Sequence, residues 1–255
     1  MSRKFQFGGH IASASVALVL LGGAANAFAA PITFFGEDPE TSGTLGPNSA
    51  LARNDFLSNL TGVGNEDFES FSYGSSSPLS LSFPGTGTTL GATITGTGSI
   101  DTSGPGRFAT SGTNFWGVST GAFTIDFADP VSAFGFNGID IGDFVTDQMI
   151  LNLTNSSGET SVLTVPHSLN IGNNDQATLF FGFYDLETTY TSIAFTNAGG
   201  GDVFAFDDMV IGDLGQITPD PDPDPLAVPE PSTLALLAMG LVGFGARRRF
   251  ALRRS

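Results

Sequence analysis

Apolar residues recur at every second position through the middle of this chain, and a period of two is the mark of a β-strand, whose successive side chains point to opposite faces. AFTIDF at 122–127 puts Phe123, Ile125 and Phe127 on one face. Asp129-Pro130 is predicted to turn the chain before residues 131–136 continue the pattern with Phe134 and Phe136. Residues 148–155 and 159–165 flank Ser156-Ser157-Gly158 as a hairpin, and further strands are predicted at 177–184, 191–196 and 202–211. Weaker candidates lie at 79–83, 88–97 and 115–119, where the Gly/Thr/Ser run over 85–98 reads either as a loop or as strands with small residues facing solvent. A composition of 24 Phe and 34 Gly supports strands joined by tight turns. The expected fold is all-β, a two-sheet sandwich of jelly-roll type over residues 30–214, with one short helix near 50–60.

The charges are sorted along the chain. All 25 carboxylates lie between Glu37 and Glu230, and of the 9 basic residues only Arg53 and Arg107 lie among them. Such a domain repels phosphate backbones, which excludes nucleic acid as a partner. The absence of Cys excludes disulfides, thiolate metal sites and Cys nucleophiles.

The ends read as addresses. Arg3 and Lys4, the apolar run IASASVALVLL at 11–21 and an A-x-A site at 25–27 or 27–29 make residues 1–29 a secretory signal peptide. Residues 215–227 form a spacer in which PDPDPDP at 219–225 blocks helix and ladder alike, while its like charges keep it extended. The final segment, 228–255, opens with Val228-Pro229-Glu230-Pro231, continues through an apolar run to Ala246 and reaches the cluster Arg247, Arg248 and Arg249. An apolar run of this kind partitions into a bilayer, and the arginines stop transfer on the cytoplasmic side. At ~1.5 Å per residue the run is short for a lasting transmembrane helix, which suits a transient inner-membrane anchor.

Residues 228–249 closely resemble the PEP-CTERM sorting signal of exported proteins from biofilm- and exopolysaccharide-producing bacteria. That resemblance implies processing by an exosortase, a membrane-embedded cysteine transpeptidase, with Pro229, Glu230 and Pro231 as recognition residues of a substrate. It also implies delivery to the cell surface, outer envelope or extracellular matrix.

Within the domain, chemistry is sparse. His167 is the one histidine left after the signal peptide, and it follows Pro166 without a nucleophile-elbow sequence, so it reads as a surface residue and not a base. Zinc fails for the same scarcity of ligands. A carboxylate pair for glycoside hydrolysis needs only two acids, but their sequence positions do not pair them.

Two acidic clusters stand out, Asn65-Glu66-Asp67-Phe68-Glu69 near the start of the domain and Phe206-Asp207-Asp208 in its last strand. Regular alternation sends Asp207 and Asp208 to opposite faces, so one is expected to aim inward and to need a partner. This pair of motifs resembles calcium-stabilised jelly-roll carbohydrate-binding modules, which implies a structural Ca²⁺ held by Glu69 with Asp207 or Asp208. For glycan contact the aromatic candidates are Trp116, Tyr184 and Tyr190, with a core role the stronger reading of Trp116. The expected function is a non-enzymatic surface or matrix protein that contacts polysaccharide. The alternatives are a glycoside hydrolase or lyase on the same scaffold, or a purely structural matrix protein.

Overall fold

The computed structural model describes residues 30–219 apart from 40, 42, 87–88, 120–121, 143–146, 170–175 and 197–202. The signal peptide, the spacer beyond residue 219 and the C-terminal segment with Pro229, Glu230, Pro231, Arg247, Arg248 and Arg249 lie outside the described residues.

The described chain is built as expected from strands in two antiparallel sheets. In order come β1 (Ile32–Asp38), helix α1 (Pro47–Ser58), β2 (Asn65–Glu66), β3 (Leu79–Pro84), β4 (Thr89–Gly96), β5 (Ser99–Asp101) and β6 (Phe115–Ser119). There follow β7 (Phe123–Val131), β8 (Ala133–Ile139), β9 (Ile150–Asn155), β10 (Thr160–Thr164), β11 (Thr178–Tyr184), β12 (Tyr190–Thr196) and β13 (Val203–Gly212). One sheet runs β1-β11-β8-β13-β6-β5, with β2 also paired to β13, and the other runs β10-β9-β12-β7-β4-β3. Asp129-Pro130 does not turn the chain: β7 continues to Val131, whose register partner is Tyr190, and the crossing to the first sheet falls at Ser132. The Gly/Thr/Ser run is mostly β4, with Leu90, Ala92 and Ile94 buried and the small residues Gly91, Thr93 and Thr95 on the other face.

Alternation builds the core. Phe134 and Phe136 of β8 and Phe206 of β13 meet Phe123 of β7 and Phe195 of β12 across the sandwich, with Phe123 stacked on Phe195 at 4.3 Å between ring centres. Each fully buried Phe is worth about 1.5–3 kcal/mol of transfer free energy, so this cluster of rings is a principal source of the fold's stability.

The outer face of the first sheet is covered in two parts. Helix α1 lays Ala52 and Phe56 on Phe180, Tyr184 and Val210. Farther along the same face, Phe108 and Ala109, from the segment between β5 and β6, pack on Phe115, Ile139 and Ala205. The domain extends past residue 214: a short 3₁₀ turn at Leu214–Gln216 is closed by a capping box, Ile217 is buried and bridges Leu60, and the Thr218 N–H donates to the Asn59 carbonyl at 2.7 Å.

Candidate functional site

The acidic clusters do come together, because β2 pairs with β13 in the register Glu66–Met209 and Asn65–Val210. Regular alternation fails at Asp207 and Asp208, however. A β-bulge shifts the register between Asp207 and Val210, and Asp208 takes a left-handed φ of 49°. Phe206 and Met209 therefore both enter the core, and both carboxylates turn to the outer side, where each lies within hydrogen-bond distance of Thr110. The expected inward-facing Asp does not exist.

What the carboxylates do there is hold the β5–β6 segment. Asp207 Oδ2 accepts the backbone N–H groups of Thr110 at 2.7 Å and Ser111 at 3.0 Å, while its Oδ1 accepts the Asp208 N–H at 2.8 Å. Asp208 accepts from Ser111 Oγ and Asn65 Nδ2 on one oxygen and from Asn137 Nδ2 on the other. Glu69 secures the far end of the segment by accepting the N–H groups of Thr113 and Asn114. Burial and the neighbouring Asp208 charge push the Asp207 carboxyl up to about 7. The Thr110 hydroxyl carries one proton yet sits 3.0 Å from Asp207 and 2.8 Å from Asp208, so a proton on Asp207 relieves both the repulsion and the shortage of donors.

A calcium ion does not fit this arrangement. A Ca²⁺ site needs six to eight oxygen lone pairs converging on one point. Here N–H and O–H donors converge instead, and every oxygen of Asp207 and Asp208 already accepts at least one of them. Among the described residues no group of three or more His, Cys, Asp or Glu side chains is placed to hold a metal.

The aromatic candidates for glycan contact are buried. Trp116 is 0% exposed and faces the inter-sheet core, where its ring lies against Gly98, at which a Cβ would fall 2.4 Å from it. Tyr184 lies under α1, with its ring 5.8 Å from that of Phe34, and Tyr190 donates its hydroxyl to Asp185 Oδ2 at 2.7 Å inside the fold. None of the three can stack on a sugar.

His167 is also buried and not on the surface: Nε2 accepts the Met149 N–H at 2.9 Å, leaving Nδ1 to donate to the Ser168 carbonyl at 2.9 Å. Burial lowers its pKa and keeps it neutral. Both ring nitrogens are spent on backbone, so His167 ties two segments together and is not poised as a base.

The exposed aromatic is one that strand periodicity does not find. Tyr73 is 72% exposed in the turn Ser72–Ser75, and its neighbours are pinned to β5: the Gly74 N–H donates to the Ile100 carbonyl, and the Ile100 N–H donates to Ser75. The signal available was a Tyr set in a run of turn-forming residues, Ser72-Tyr73-Gly74-Ser75.

Just past the other end of β5 lies a cavity of about 280 Å³ lined by Gly43, Gly104, Gly106, Arg107, Phe108 and Gln176. Arg107 is set by a tight turn in which the backbones of Gly104 and Arg107 exchange N–H···O bonds at 3.3 and 3.1 Å. The guanidinium packs closely over Gly104, where a Cβ would fall 2.4 Å from it. Phe108 and Ala109 anchor the turn to the sheet, and the Asp207–Asp208 latch holds Thr110 and Ser111 beyond them.

Residues 227–249 match the PEP-CTERM protein-sorting motif. The chain thus carries the mark of an exported protein sorted through the envelope. No curated protein matches the sequence. Among solved structures, it is similar to the K2 cleaved adhesin domain of Lys-gingipain at 15% identity, covering 58% of this chain and 97% of that one with a TM-score of 0.37. It is similar also to a xylan-binding domain from carbohydrate-binding module family 22 at 13% identity, covering 61% and 97% with a TM-score of 0.32. A third is the family 11 carbohydrate-binding module of Lic26A-Cel5E of Clostridium thermocellum at 14% identity, covering 64% and 99% with a TM-score of 0.32. These neighbours are β-sandwich domains, as this chain is.

Proposed function

We propose that this chain is an exported surface protein, released from its membrane tail by an exosortase, whose sandwich domain serves in the envelope or matrix as a non-catalytic module for polysaccharide. The observation that carries the reading is the sorting motif at 227–249, which directs the domain to where such polymers are met. Before the motif, the seven residues of PDPDPDP have the reach, at ~3.1 Å per residue for a proline-rich chain, to span on the order of 20 Å between the domain and the processing site.

Two further observations support a binding role. Four of the buried titratable groups are spent on architecture: both His167 nitrogens bond to backbone, and Glu66, Asp207 and Asp208 accept hydrogen bonds from the fold's own donors. Meanwhile Tyr73 offers an exposed ring on the β5 side of the sheet, the geometry by which an aromatic packs on the apolar face of a pyranose.

The test is a polysaccharide panel probed with the full chain and with Tyr73→Ala. Wild type is expected to bind at least one polymer, and Y73A to bind it about tenfold more weakly, the order of effect for a lost aromatic contact. Failure to bind any polymer would remove the binding half of the reading.

A further inference from the structure

The cavity at Arg107 has a composition that calls for a particular kind of ligand. Arg53 and Arg107 are the two cationic side chains in residues 30–219 of a chain with net charge −16, and Arg107 is the one that lines a cavity. Its ion pair is loose: Nη1 lies 3.9 Å from Asp101 Oδ2, beyond hydrogen-bond reach, and Nε is buried without a hydrogen-bond partner. Arginine offers only donors, in a fork that matches a carboxylate. Gln176 adds an amide and the glycines expose backbone, while no carboxylate is among the described lining residues. Phe108 supplies an apolar wall. The volume lies at the small end of the ~300–1,000 Å³ range of ligand cavities, room for one sugar ring and not for a run of them.

We infer that this cavity is a subsite for a single carboxylate-bearing sugar residue, a uronate at a chain end or side branch, with its carboxylate on Arg107 and its ring against Phe108. The inference rests on the polysaccharide reading above and adds to it the sugar class and the place. Asp101 stands beside the guanidinium, and Asp140 lies behind Gly106, where a Cβ would fall 2.4 Å from its carboxylate. A bare anion therefore gains little here. The ring contact and the carboxylate contact are both needed.

The experiment titrates the full chain with a uronate oligosaccharide, with its carboxyl-reduced neutral counterpart and with acetate, for wild type, Arg107→Gln and Gln176→Ala. Wild type is expected to bind the uronate form about tenfold or more tightly than the reduced form, the order set by a charge-assisted hydrogen-bonded pair, and not to bind acetate. The preference should weaken with salt. R107Q should lose the preference and Q176A should reduce it, each with an unfolding midpoint close to that of wild type. If R107Q fails to fold, the wild-type comparison of the uronate and reduced sugars and the Q176A titration still decide. Equal binding of the two sugars by wild type would overturn the subsite while leaving the polysaccharide reading standing. Binding of neither, together with a silent polysaccharide panel, would overturn both.

Discussion

Asp207 is the residue whose environment departs most from what its sequence suggests. Alternation assigns it to one face and Asp208 to the other, but one bulged residue in the left-handed region puts both on the same side, within reach of a single hydroxyl. A bulge of this kind leaves only a weak signature in the string Phe206-Asp207-Asp208, since Asp tolerates the left-handed region but is far commoner outside it. The consequence is a pH dependence of definite sign. A carboxyl raised to about 7 in the fold, against an ordinary value near ~4 unfolded, contributes stability that is complete below the unfolded pKa and is lost as pH rises through 7. Asp207→Asn cannot ionise. The wild-type unfolding midpoint should therefore fall relative to that of D207N between pH 5 and pH 8 in parallel thermal melts. Parallel curves for the two proteins over that range would show that the pair does not carry the burden assigned to it.

At the scale of elements, α1 shows how a helix can start without a cap of its own. Its N-cap is Gly46, with no side chain to offer, and the end of β1 supplies the acceptor instead: Asp38 takes the N–H groups of Asn48 and Ser49 and the Ser49 hydroxyl at 3.1, 2.8 and 2.7 Å. Glycine is needed at 46 because a Cβ there would fall 2.3 Å from the Asp38 carboxyl carbon. Burial works to raise the Asp38 pKa, but the bonds from Ser49 and Asn48 outweigh it and the net shift is downward.

Asp38→Ala should therefore cost about 1–2 kcal/mol by chemical denaturation at neutral pH, as lost helix caps do. The gap should narrow as acid protonates the wild-type carboxylate, because a lowered pKa gives stability that is lost as pH falls through it. An unchanged gap at pH 3 would mean that the loss comes from packing and not from the cap.

The same scale shows what could be read in advance. The strands β7 to β9 and β11 to β13 were legible because each buries Phe, Ile, Leu or Val on alternate positions between two sheets, and β10, which is mostly exposed, was legible only from the Ser156-Ser157-Gly158 turn that pairs it with β9. By contrast β1, β2 and β5 were not: β1 is an edge strand covered by α1, and the other two are two and three residues long, held by their partners and not by their own pattern. Trp116 and Tyr184 sit in alternating strands and so enter cores, while Tyr73 is exposed because it has no strand to place it.

At the scale of the whole molecule, we propose that the folded domain binds and that the terminal segments govern its travel. In that proposal residues 1–29 serve export, the tail with the motif at 227–249 serves sorting, and the residues before the motif serve as a spacer. The chemistry of the sandwich lies on one side of the first sheet, where the latch of Asp207, Asp208 and Glu69 fixes the turn that carries Arg107.

The most direct measurement is the intact mass of the protein recovered from the envelope and medium of a producing cell. The proposed processing yields a polypeptide that lacks the signal peptide and terminates at or near Pro229-Glu230-Pro231, without the arginines 247–249. A mature species that still carries residues 232–255 would contradict it.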